Sequence, residues 1–72
     1  MSEEIAISGE TIRLGQLLKL AGVVGSGSEA RALLAAETVL VNDEAEDRRG
    51  RQLHPGDRVR LPGHELLVTA GT

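Results

Sequence analysis

The 72-residue sequence contains no Cys, Phe, Tyr or Trp. Without cysteine there are no disulfides, thiolate metal ligands or thiol nucleophiles. Without aromatic rings there are no platforms on which single-stranded bases could stack. No apolar run approaches the roughly 18 residues of a membrane span, since the longest, Leu14 to Val24, is broken by Gly15, Lys19 and Gly22. The start Met1-Ser2-Glu3-Glu4 lacks the basic lead and apolar core of a secretory signal. The expected location is therefore the cytoplasm, with no membrane partner. What is present, 40% hydrophobic and 26% charged residues with a net charge of −3, predicts one small folded domain over residues 1–72 rather than a disordered chain. A chain this short buries only about 60% of its unfolded surface, which argues against a deep catalytic cleft.

Hydrophobic periodicity divides the chain into elements. Ile5 and Ile7 alternate with Ala6 and Ser8 as in a short edge strand closed by Gly9. From Leu14 the period lengthens. Leu14, Leu17, Leu18 and Ala21 share one helical face, Gln16 and Lys19 face away, and Gly22 stands where a helix ends. Ser26-Gly27-Ser28-Glu29 fits a capping box, with the Ser26 hydroxyl on the Glu29 amide and the Glu29 carboxylate returning to the Ser26 amide. The helix it opens carries Ala30, Leu33 and Leu34 on its apolar face and leaves Ser28 and Arg31 near solvent. Val39 and Val41 begin a strand. Asn42-Asp43 supplies a hairpin turn, and Glu44 to Asp47 returns from it. Pro55-Gly56 and Pro62-Gly63 match type II turns bracketing a strand from Arg58 to Leu61, with Val59 and Leu61 inward and both arginines outward. Leu66 and Val68 form the inner face of a last strand, and Gly71-Thr72 is expected to fray. The order β-α-α-β-β-β-β predicts an α+β fold, two short helices packed on a small antiparallel sheet.

Charge is segregated along the chain. Glu37, Asp43, Glu44, Glu46 and Asp47 precede Arg48, Arg49, Arg51, Arg58 and Arg60, opposed there only by Asp57. Three arginines in Arg48-Arg49-Gly50-Arg51 repel one another unless an anion intervenes, and guanidinium groups grip phosphate in a bidentate fork. Gly50 would let a ligand approach the backbone. The alternative is a solvated loop whose arginines pair with the acidic stretch before it. Lys19 and Arg31 extend a basic patch if the helices hold them on the same surface. His54 and His64 lack the spacing of metal or acid–base pairs, and the carboxylates cluster without a nucleophile. No catalytic residue, metal or cofactor is expected.

Three stretches in order carry a family resemblance: Ile12 to Gly22 (IRLGQLLKLAG), Ser26 to Leu34 (SGSEARALL) and Val39-Leu40-Val41-Asn42. They resemble the alpha-L RNA-binding motif, the domain named for ribosomal protein S-four. Arg48-Arg49-Gly50-Arg51-Gln52-Leu53 and Pro55-Gly56-Asp57-Arg58-Val59 resemble small stand-alone bacterial members, so the likeness covers about residues 12–61. The resemblance implies a helix pair and hairpin that grip structured RNA, ribosomal or transfer, with no catalysis of their own. It carries binding roles to Lys19, Ser28, Arg31, Asn42, Arg48, Arg49 and Arg51. Folded RNA is read by shape, phosphate and 2′-hydroxyl contacts, which need arginines but not aromatic rings. Glu37 stands where the family usually has a helix-terminating glycine, and Asp43 where the hairpin usually has Asn-Gly. This predicts a left-handed Glu37 at a cost of about 1 kcal/mol and an acidic group beside Asn42. The expected partner is thus structured RNA bound by a monomer. Two other readings stand beside it. One is an adaptor docking a basic partner such as a ribosomal protein. The other is a sulfur carrier of the β-grasp type, which would need a C-terminal Gly-Gly where this sequence has Gly71-Thr72.

Overall fold

A computed structural model describes residues 2–71. The elements run β1 (Glu3–Ile7), β2 (Ile12–Arg13), α1 (Leu14–Leu20), α2 (Gly27–Ala36), β3 (Leu40–Val41), β4 (Glu44–Ala45), β5 (Gln52–Leu53), β6 (Arg58–Leu61) and β7 (His64–Ala70). Five strands form one sheet in the order β1-β7-β6-β3-β4, while β2 and β5 pair separately and antiparallel. The five strands of the sheet are those the alternation predicts. The β2–β5 pair is new, because two residues are too few for a period to show in sequence.

Strand β1 lies at the sheet edge, as expected, but it runs parallel to β7, with Glu3 opposite Leu66 and Ile7 opposite Ala70. The sheet is therefore antiparallel everywhere except at β1, a correction to the wholly antiparallel reading. A parallel pair needs a long crossover, and the whole chain between β1 and β7 supplies it. The Gly71 amide donates to the Ile7 carbonyl at 2.9 Å, so the ladder continues through Gly71 rather than fraying there. Thr72 lies outside the described residues, as does Met1.

Both helices cover one face of this sheet. Leu14, Leu17 and Leu18 of α1 and Ala30 and Leu34 of α2 join Val41, Val59, Leu61, Leu66 and Val68 in one buried cluster, which also takes in Ile7, Val24, Val39 and Leu53. Ala21 and Leu33 are half-buried against it. Helix α1 ends as its sequence predicts, Ala21 capping it and Gly22 following at φ 78°. At α2, Ser26 Oγ accepts from the Glu29 amide at 3.2 Å, but the Glu29 carboxylate accepts from the Gly25 amide at 2.7 Å rather than from Ser26. The box thus closes one residue earlier than expected. The C-cap Glu37 is extended at φ −122°, so no left-handed strain arises there. Helix α2 runs directly into an extended segment and does not need the turn that a terminal glycine makes. Asn42 (φ 51°) and Asp43 (φ 69°) form the hairpin turn, and Gly56 and Gly63 take the positive φ of their Pro-Gly turns.

Candidate nucleic-acid interface

Helix α1 starts without a side-chain cap, because Arg13 precedes it in extended conformation and contributes no capping hydrogen bond. Its first amides find acceptors elsewhere. The Leu14 amide donates to the Arg51 carbonyl and the Gly15 amide to the Arg49 carbonyl, each at 2.8 Å. The arginine loop therefore caps α1 with its own backbone and is held against the helix. Gly15 permits this approach: a Cβ there would stand 3.2 Å from Arg49 Cβ and 3.4 Å from the Arg49 carbonyl oxygen. The Arg51 amide closes the turn on the Arg48 carbonyl at 3.2 Å.

A second anchor is a buried carboxylate. Glu46, 8% exposed, accepts from the amides of Asp47 and Arg48 and from Nε and Nη2 of Arg48, all at 3.1 Å, and from Nη1 of Arg51 at 3.0 Å. These bonds, Arg48 first and Arg51 next, hold its carboxyl down to about 2 against the opposing effect of burial. The same contact raises the Arg48 guanidinium above its ordinary value. Two of the three arginines are thus paired with the acidic stretch, as the solvated-loop alternative expects, and the third is not.

Arg49 forms no ion pair among the described residues. Its guanidinium lies over the start of α2, where a Cβ at Gly27 would stand 3.6 Å from Nη1. The positive end of a helix dipole and a guanidinium meet at that point, an arrangement an anion relieves. Around it lies a groove of about 270 Å³ lined by Arg13, Gly15, Gln16, Lys19, Gly27, Ala30, Arg49 and Gly50, which include three cations and no carboxylate. Gly50 has open space around its Cα, so it leaves one wall of the groove low.

The structure brings Lys19 and Arg49 together across this groove. Ser28 and Arg31 are exposed on α2 beside it: Ser28 follows Gly27, and Arg31 lies one turn beyond Gly27 on the same face. Arg48 remains exposed over 73% of its side chain although engaged by Glu46, whereas Arg51 is exposed over only 29%. Asn42 is placed differently. Its side-chain nitrogen donates to Asp57 Oδ1 at 3.0 Å and its oxygen accepts from the Arg58 amide at 2.9 Å, which tie the hairpin to β6. No hairpin residue lines the groove. Burial pushes the Asp57 carboxyl up, but hydrogen bonds from the His54 amide and Asn42 outweigh it and the net shift is downward.

Two participants escape sequence reasoning. Arg13 lines the groove, and its place at the helix entrance, three residues before Gln16, is the signal that could have found it. In the sequence Glu46 is one more member of the acidic stretch before the arginines, and the structure buries it. It is the single buried charged residue of those described, and nothing in its flanking pattern marks it as inward.

Comparison with known proteins agrees with this architecture. A family model described as the S4 domain matches residues 5–69. The chain belongs to the S4 RNA-binding domain family. It is also similar to a protein of Bacillus subtilis (strain 168) named as a probable ribosome maturation protein, RlbA, with 51% identity over 63 residues that cover 88% of this chain and 89% of the relative. Among the described residues no helix is long and apolar enough to cross a membrane, and no three His, Cys, Asp or Glu side chains converge as a metal site.

Proposed function

We propose that this S4 domain is a non-catalytic module that binds structured RNA, ribosomal RNA foremost, in the service of ribosome assembly. The observation that carries the reading is the groove between α1, the arginine loop and the start of α2, which Arg13, Lys19 and Arg49 line without a carboxylate and where Arg49 lies over Gly27. Lys19, Arg31 and Arg49 take phosphates, and Ser28 offers a hydroxyl to phosphate or sugar. Arg48 and Arg51 frame the loop and present the N–H groups that Glu46 leaves free. The kinship with a named ribosome maturation protein supports ribosomal over transfer RNA.

Filter binding to folded ribosomal RNA fragments and to transfer RNA, at about 50 and 200 mM salt, tests it. Micromolar or tighter binding to the ribosomal fragments is expected, weakening about 40-fold between the two salts if three phosphates are neutralised. Arg49→Ala should lower the salt slope by about one phosphate equivalent, whereas Arg60→Ala should leave it unchanged. Absence of binding at either salt would overturn the reading. Retention of a protein partner after nuclease treatment would move it to the adaptor.

A further inference from the structure

Within a site that must attract phosphate, the buried carboxylate of Glu46 is out of place by charge alone. Its contacts account for it. Glu46 takes five hydrogen bonds from the segment Asp47 to Arg51, two of them from backbone amides, and so fixes both the path of the chain and the side chains of Arg48 and Arg51. The Glu46 amide is itself held by the Val39 carbonyl at 2.8 Å, which fastens the arrangement to the segment leading into the sheet. The other end of the same turn is fastened to α1 by the Arg49 and Arg51 carbonyls. Between these two anchors Arg49 is the arginine without an ion pair among the described residues, and it extends over Gly27 into the groove.

We propose that Glu46 is a positioning residue of the RNA site: by binding Arg48 and Arg51 it orders the loop and aims Arg49 at the phosphate. The inference rests on the RNA-binding reading above. It has a consequence opposite to simple electrostatics. Removing this negative charge from beside the RNA lowers affinity, whereas removing the exposed charge of its neighbour Glu44 leaves affinity equal or slightly raised.

The test compares Glu46→Gln and Glu44→Gln in the full chain, each against a folded ribosomal RNA fragment that the wild-type protein binds, across a salt series. Glu44→Gln should bind within about twofold of wild type, on the tight side. Glu46→Gln should bind about tenfold more weakly, with a salt slope shallower by about one phosphate. Adding Arg49→Ala to Glu46→Gln should then cost little more, because Arg49 is already misplaced. Equal or tighter binding by folded Glu46→Gln would overturn the proposal, and so would full additivity with Arg49→Ala. Should Glu46→Gln fail to fold by circular dichroism, Glu46→Asp carries the test. It keeps the charge on a side chain one methylene too short to span both arginines, and the same loss is expected; unchanged affinity would overturn the role. Failure of the wild-type protein to bind any fragment would instead overturn the RNA reading itself.

Discussion

Two carboxylates that meet arginine at nearly the same distance, one in the arginine loop and one at the β3–β4 hairpin, have different physical consequences. Glu46 meets Arg48 and Arg51 at 3.1 and 3.0 Å, and Asp43 meets Arg60 at 3.1 Å. The Glu46 side chain is 6% exposed and that of Asp43 is 80% exposed. Water competes freely for the hairpin pair, which leaves it worth at most about 1 kcal/mol, while the loop pair has lost that competitor on its acidic side. Distance alone does not rank such contacts; the burial of the acceptor does. The loop is consequently a built surface, and the hairpin pair an incidental one.

The sharpest way to break this contrast is to remove each acceptor. Glu46→Ala leaves two guanidinium groups and the amides of Asp47 and Arg48 without their acceptor, and should cost about 3 kcal/mol of stability. Asp43→Asn keeps the residue class that tolerates positive φ, and should cost less than about 0.5 kcal/mol. With no Trp or Tyr in the sequence, urea unfolding is best followed by circular dichroism. Equal losses for the two variants would erase the distinction.

Acid reads the same contact without changing a side chain. The Glu46 carboxyl is held down to about 2 from an ordinary 4.5. A depressed carboxyl stabilises the fold fully above its unfolded value, and the stabilisation fades as pH falls from about 4.5 through about 2. The arginines stay charged throughout, so the loss belongs to the carboxylate. Wild-type protein should lose on the order of 2 kcal/mol through Glu46 between neutral pH and about pH 2.5. Other carboxylates titrate in that range as well, so the informative quantity is the difference from Glu46→Gln. That variant's Tm profile between about pH 6 and 2.5 should be flatter than wild type. Parallel profiles would show that Glu46 is not held low.

The same contrast explains what was legible in the sequence. The alternation of Arg58-Val59-Arg60-Leu61, the spacing of Leu14, Leu17 and Leu18 and the two Pro-Gly turns are local signals, and the strand, helix and turns follow them. The residues in and beside the groove are partly visible in the sequence, since Lys19 and Arg31 sit opposite apolar stripes and the arginine triplet is conspicuous. What sorts that triplet into one free and two engaged members is a set of non-local facts. The loop carbonyls reach an α1 start more than thirty residues earlier in the chain, and Glu46 turns inward beneath them. No periodicity encodes either. The parallel seating of β1 on β7 is illegible for the same reason, because pairing between the chain ends leaves no mark on either strand's own pattern.

The smallest effect is also the most discriminating for the hairpin. Asp43 adopts φ 69°, a left-handed conformation that glycine accepts without steric cost and aspartate tolerates. Asp43→Gly relieves that cost, loses an exposed ion pair with Arg60, and adds freedom to the unfolded chain. These contributions oppose one another, so stability should change by no more than about 0.5 kcal/mol. RNA affinity is the more telling measurement. Asn42 uses both ends of its side chain on Asp57 and the Arg58 amide, and the hairpin does not line the groove. Removing the Asp43 charge should therefore alter affinity by less than about twofold, since an exposed charge away from bound phosphate is screened within about 10 Å. A tenfold gain would mean that phosphate passes over Asn42, and that the interface runs from the helix starts across the hairpin rather than ending at the arginine loop.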